Sequence, residues 1–242
     1  MYAIYKRELF SFLNAPVGYI IIGVFLLATG MLLWFFPETS MLDYGYAEMS
    51  GFFDLAPFLL MFLVPATCMR SFAEERKEGT YILLATRPIT SWQIIWAKYL
   101  ACLTLVILAL LPTLVYYMSL SKLGLPEGNI DGGAVAGSYI GLCLLSSAFA
   151  AIGLLGSVIT KSQVVAFVVA LFICFIAFSG IESLSKLTAF QFVETEIASI
   201  GMHSHFESVA RGVLDTRDIV YFLTVDFIFL GAVRIVLGGR KW

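Results

Sequence analysis

The sequence predicts an all-α integral membrane protein with six transmembrane helices. Three observations carry this. The 242-residue chain is 60% hydrophobic with only 13% Asp, Glu, Lys and Arg, about half the roughly 25% of a soluble domain. The mean hydropathy is +0.91. Apolar runs recur at lengths near the ~20 residues that a helix needs to cross ~30 Å of hydrocarbon.

Residues 1–13 precede the first run. Tyr2, Tyr5, Leu9, Phe12 and Leu13 recur at helical spacing, with Lys6, Arg7, Glu8 and Ser11 elsewhere, which predicts an amphipathic helix lying in the inner interface. Asn14-Ala15-Pro16 turns the chain into the membrane, and proline suits a first helical position. Charge-free runs follow at Val17–Phe36, Tyr99–Ser121, Ala134–Thr160 and Ser162–Ile181. Two further spans are less clean: Leu55–Met69, extended outward through Met49–Phe53, and Ile219–Leu237, which contains Asp226 and Arg234. The first span is too long for the apolar core of a signal peptide and is expected to stay uncleaved. One membrane domain over residues 1–242 is the expected organisation. Cys68, Cys102, Cys143 and Cys174 all fall within expected helices, so no disulfide framework is implied.

Orientation follows the placement of Lys and Arg. With a cytoplasmic N-terminus, the inner side holds Lys6, Arg7, Arg70, Arg76, Lys77, Arg87, Lys98, Lys161, Arg234, Arg240 and Lys241, and the outer side only Lys122, Lys186, Arg211 and Arg217. Both termini are then expected in the cytoplasm.

The stretch from Arg70 to Thr90 concentrates charge in an otherwise apolar chain. Pro57 and Pro65 predict a bend in span two. No breaker follows Met69 until Gly79, so the helix is expected to continue as a protruding charged stalk, with Arg70 and Glu74 an i,i+4 pair and Arg76 and Lys77 in the last turn. Gly79 is a plausible stop. Thr80 can cap a two-turn apolar helix over Tyr81–Arg87, ended by Pro88. Thr90 to Gln93 has capping-box spacing. Trp92 and Trp96 suit the inner headgroup zone, where Lys98 is expected to snorkel. The small apolar helix needs a cover: either a soluble partner protein or the lipid surface. Between spans five and six the acidic, apolar-rich stretch Glu182–Asp218 predicts short extracytoplasmic helices on the outer leaflet.

Catalytic motifs are absent. There is no G-x-x-x-x-G-K-[ST] phosphate loop, no H-E-x-x-H and no G-x-S-x-G. The adjacent acids Glu74-Glu75 have no nearby histidine to support a protease reading. His203 and His205 at period two point apart on a helix and are read as ordinary interfacial side chains, not metal ligands. Asp226, eight residues and about 12 Å along a helix from Asp218, is a candidate functional acid within the membrane. The competing reading is a hydrogen bond to a neighbouring helix. Arg234 is too far along the same helix to pair with it.

The run Glu74-Glu-Arg-Lys-Glu-Gly-Thr-Tyr-Ile-Leu-Leu84, followed by Arg87-Pro-Ile89, resembles the ABC-2 family of ABC transporter permeases. Glu74, Glu75, Gly79, Thr80, Leu83, Leu84, Pro88 and Ile89 match that family's pattern, while Ile82 stands where the family often has Glu. Tyr5-Lys-Arg-Glu-Leu9 is similar to its interfacial start. Within the family, Lys6–Tyr19 and His205–Phe222 are most similar to the gliding-motility-associated permeases of Bacteroidetes. The resemblance implies a cytoplasmic ABC ATPase subunit in two copies, a second permease subunit, and six helices per subunit. It implies that Gly79, Thr80, Tyr81, Leu83, Leu84, Arg87 and Pro88 belong to a coupling helix docking on the ATPase, with Arg70, Glu74 and Glu75 as stalk charges. ATP and magnesium would then sit on the partner, and this chain would bind no cofactor and no nucleic acid and catalyse nothing itself. An extracytoplasmic accessory protein is a further candidate partner. The expected function is export of an unidentified substrate. The alternative is a non-transporting membrane scaffold of a motility or envelope complex.

Overall fold

The computed structural model describes residues 1–37, 39–41, 48–80, 89–186, 196, 198–212 and 214–239. Among these every regular element is helical, and six helices are long and apolar enough to cross a membrane: Pro16–Trp34, Ser50–Lys77, Ser91–Leu123, Gly132–Ile159, Gln163–Ser185 and Thr216–Gly239. They are called spans one to six below.

Span four is the axis of the bundle: 78% of its apolar 18-residue stretch is buried, against 22% of the corresponding stretch in each of spans one, five and six. Its sequence explains this. Gly141, Gly153 and Gly156 leave room for close neighbours, and a Cβ on Gly153 would lie 2.7 Å from the Cys68 Cβ of span two. Without a hydrophobic drive between helices in lipid, such small residues allow the backbones to approach. Spans two, five and six pack around this helix.

Several local features follow from single residues. Pro16 occupies the start of span one. Thr90 and Gln93 form the expected reciprocal capping box at the start of span three. Span three reaches Leu123, beyond the expected Ser121, with a 3₁₀ turn at Leu111–Thr113 where Pro112 supplies no N–H. Span five passes through a π-helical turn at Ile176–Gly180, which carries the buried Phe178. Helix Met202–Ala210, here the rim helix, packs Met202, Phe206 and Val209 inward against the bundle. The four cysteines are free thiols within spans.

Two expectations are corrected. The N-terminal helix forms at Tyr2–Leu13, but its buried residues are Ile4 and Phe12, while Tyr2 is 74% exposed and Glu8 turns partly inward. The stalk Arg70–Lys77 is not a free protrusion: Phe72 and Ala73 are fully buried where it packs on the ends of spans four and five.

Candidate functional site: the stalk junction

The stalk begins where span two breaks. The Met69 N–H bonds back to Pro65 O at 2.9 Å, and a new helix starts at Arg70. A fresh helix start leaves backbone N–H groups without partners. Here a residue from another span meets them. The Ser157 hydroxyl of span four accepts from Phe72 N at 2.9 Å and Ala73 N at 3.1 Å, and donates to Met69 O at 3.0 Å. One side chain thus fixes both sides of the break to the last turns of span four. Further along the stalk, the Arg76 guanidinium donates to the Val158 carbonyl, a cation placed at the negative end of the span-four helix. The expected Arg70–Glu74 pair forms with two hydrogen bonds of 3.0 Å.

The junction centres on Lys98. Its side chain is fully buried, and its ammonium lies 2.9 Å from Glu8 Oε1, 3.1 Å from Glu75 Oε2 and 2.5 Å from the Ser71 carbonyl oxygen. The Phe72 ring closes the remaining side at 4.9 Å. A buried ammonium is tolerable only with such partners, and the ring face adds a smaller attraction. Arg7 completes the group, bonding Glu8 at 2.8 Å and also Glu75. Burial works against the charged Arg7, but its bonds and attraction to Glu8 and Glu75 outweigh this and push its pKa up. Two cations and two carboxylates therefore form a compact neutral group. It joins the interfacial helix (Arg7, Glu8), the stalk (Glu75) and span three (Lys98). Tyr5 adds a second tie to span three, 3.1 Å from the Thr104 hydroxyl.

This corrects the snorkelling expectation for Lys98. The residue lies four positions from both Ile94 and Cys102 on the buried face of span three, so its head is turned into the bundle rather than toward lipid. A lysine on a buried helical face needs carboxylates, and Glu75 supplies one from the side of the stalk that also buries Phe72.

Beside the junction a cavity of about 380 Å³ is bounded by the interfacial helix, stalk and span three, with Arg7, Glu8, Arg70, Glu74 and Glu78 in its wall. The stalk ends at Gly79, whose φ of +70° only glycine adopts freely. The Thr80 hydroxyl turns back to the Glu75 carbonyl at 3.4 Å. Tyr81, Leu83, Leu84, Arg87 and Pro88 lie outside the described residues, and so does the helix expected there.

The other candidates sit apart from the junction. Asp226 is buried and accepts from Tyr99 of span three at 3.0 Å and Ser147 of span four at 2.9 Å, linking three spans. Arg234 stands over the Trp92 ring at 5.3 Å. His203 and His205 diverge, toward Glu182 and Asp218 respectively. Among the described residues no three His, Cys, Asp or Glu side chains converge as a metal site would require.

Six apolar helices, with a charged extension of span two clamped to the N-terminal helix at one end of the bundle, define a multi-pass membrane protein. Residues 9–203 match the family described as ABC-2 family transporter protein, and the chain belongs to that family. It is thus a membrane subunit of the ABC transporter class. No curated protein matches the chain.

Proposed function

We propose that this chain is the permease subunit of an ABC exporter in the bacterial cytoplasmic membrane, with both termini in the cytoplasm. It pairs with a second permease subunit and is driven by two copies of a separate cytoplasmic ATPase subunit, which carry the ATP and magnesium. On the six-span topology expected from the sequence, the fifteen Lys and Arg residues divide eleven to four in favour of the stalk side, which supports the orientation. The likeness of Lys6–Tyr19 and His205–Phe222 to gliding-motility-associated permeases supports a place in that branch of the family.

The observation that carries the reading is the construction of the stalk. It is seated on span four by Ser157 and tied to span three and the interfacial helix through Glu75, so residues 80–88 leave from a braced base. ATP binding draws the two ATPase subunits together, each gripping a coupling helix around Thr80–Arg87. The stalk passes the displacement to span two, and the junction passes it to span three and the interfacial helix. The transmission requires ATP-bound and ATP-free partners to bind the two permease conformations with different free energies.

Leu84→Asp tests the docking. The variant is expected to insert and assemble normally in liposomes with its ATPase while losing transport-linked ATP turnover. Wild-type coupling in Leu84→Asp would overturn the assignment.

A further inference from the structure

Both histidines of the chain lie on the rim helix Met202–Ala210, at the end of the bundle opposite the stalk. His203 Nδ1 is 3.0 Å from Glu182 Oε2 at the end of span five, and its ring meets Phe178 edge-on at 5.1 Å. His205 is more constrained. Its Nδ1 is 2.7 Å from Asp218 Oδ1 in the first turn of span six, and its Nε2 is 2.9 Å from the Ser199 backbone carbonyl oxygen. Its ring lies nearly parallel to Tyr221, with centroids 3.9 Å apart. Tyr221 in turn donates to the Ile200 carbonyl at 2.6 Å, holding the same turn.

The hydrogen-bond partners fix the proton count. A carbonyl oxygen and a carboxylate are both acceptors, and a neutral imidazole has a single N–H. Either neutral tautomer leaves a nitrogen lone pair facing an oxygen at 2.7 or 2.9 Å. Beside an ionised Asp218, both bonds are made when both ring nitrogens carry hydrogen. The face of Tyr221 and the nearly buried Asp218 carboxylate suit an imidazolium.

We propose that His205 and Asp218 form a proton-binding site, and that the bound proton fastens the rim helix to the start of span six. The rim helix also reaches span five through His203 and Glu182, so it bridges two spans whose lateral faces are otherwise largely open. The sign is fixed by the geometry: the proton is held on the acid side, and its loss as pH rises breaks one of the two His205 bonds. Among the described residues, the titratable and charged groups on the elements packed here are His203 and Glu207 on the rim helix, Arg211 at its end, Glu196 before it, Asp215, Arg217 and Tyr221 from span six and the turn before it, Glu182 of span five and Lys186 just past its end. Asp54 of span two stands within electrostatic reach of His203 and Glu207. Span four meets the rim helix through uncharged Ser138 and Gly141, and the π turn through Phe178. This inference goes beyond the transport reading and does not rest on it.

The test is ¹⁵N NMR of the full chain in lipid nanodiscs, labelled only at histidine. With His203→Gln, His205 is the sole histidine. The expected result is two protonated ring nitrogens at neutral pH, loss of one N–H signal in the added Asp218→Asn variant, and faster amide exchange over 199–210 when that signal is lost at higher pH. If His203→Gln fails to assemble, the protein with both histidines serves, because the signals that change with Asp218→Asn identify His205. A singly protonated His205 at neutral pH, or spectra unchanged by Asp218→Asn, would overturn the proposal.

Discussion

Replacing Lys98 by Met is the most informative perturbation of the junction. The stem volume is kept and only the ammonium is lost. Glu8 and Glu75, with side chains 19% and 13% exposed, would then face each other with Arg7 as their shared cation, and Arg7 is 51% exposed. Removing one partner of a buried ion pair costs about 3–5 kcal/mol, mostly because the opposite charge is left without compensation. At roughly 2–4 °C per kcal/mol for a chain of this size, the apparent Tm should fall by about 6–20 °C. The triple change Lys98→Met with Glu8→Gln and Glu75→Gln removes both buried carboxylates and leaves only the half-exposed Arg7 cation, which water can solvate. It should recover most of that loss, since the cost of breaking a buried pair lies mainly in the buried charge left behind and no buried carboxylate then remains in the group. The assay is thermal unfolding in a fixed detergent, followed by tryptophan fluorescence. A single variant within about 2 °C of the parent, well below that expected fall, or a triple variant no better than the single, would refute the account of Lys98 as a buried, carboxylate-compensated cation.

Two further substitutions test neighbouring elements. Ser157→Ala leaves the Phe72 and Ala73 N–H groups without their acceptor, and should destabilise by about 1–3 kcal/mol while raising amide exchange in residues 70–77. Unchanged exchange there would mean that Ser157 does not anchor the stalk. Asp226→Ala removes the acceptor of Tyr99 and Ser147 and should cost about 1–3 kcal/mol, whereas Asp226→Asn keeps a carbonyl acceptor and should cost less. If Asp226→Asn instead melts like the parent but abolishes transport, the acid has a role in the translocation path.

The spans were legible because crossing lipid demands an apolar run of one length, and only a few segments of the chain supply it. Local signals acting through their own backbone were legible too: Pro16, the Thr90–Gln93 box, the Arg70–Glu74 pair and the glycine at 79. What escaped the sequence depended on which helices meet. A lysine eight residues into a span can reach outward to the interface or inward to acids, and its spacing alone does not choose. Glu8 and Glu75, from segments 67 residues apart, decide it. The half-buried stalk has the same origin, since Ser157 reads as one more small residue until span four is seen beside Met69. The π turn in span five has no proline or charge to mark it, and places Phe178 among Phe58, Phe149, His203 and Phe206.

The central claim is that the apolar segment after Gly79 is seated in a soluble ATPase. Site-specific photocrosslinking at Leu83 in living cells tests it most directly. The account predicts capture of a nucleotide-hydrolysing subunit, reduced when Leu84→Asp is added. Crosslinks to phospholipid alone would contradict it.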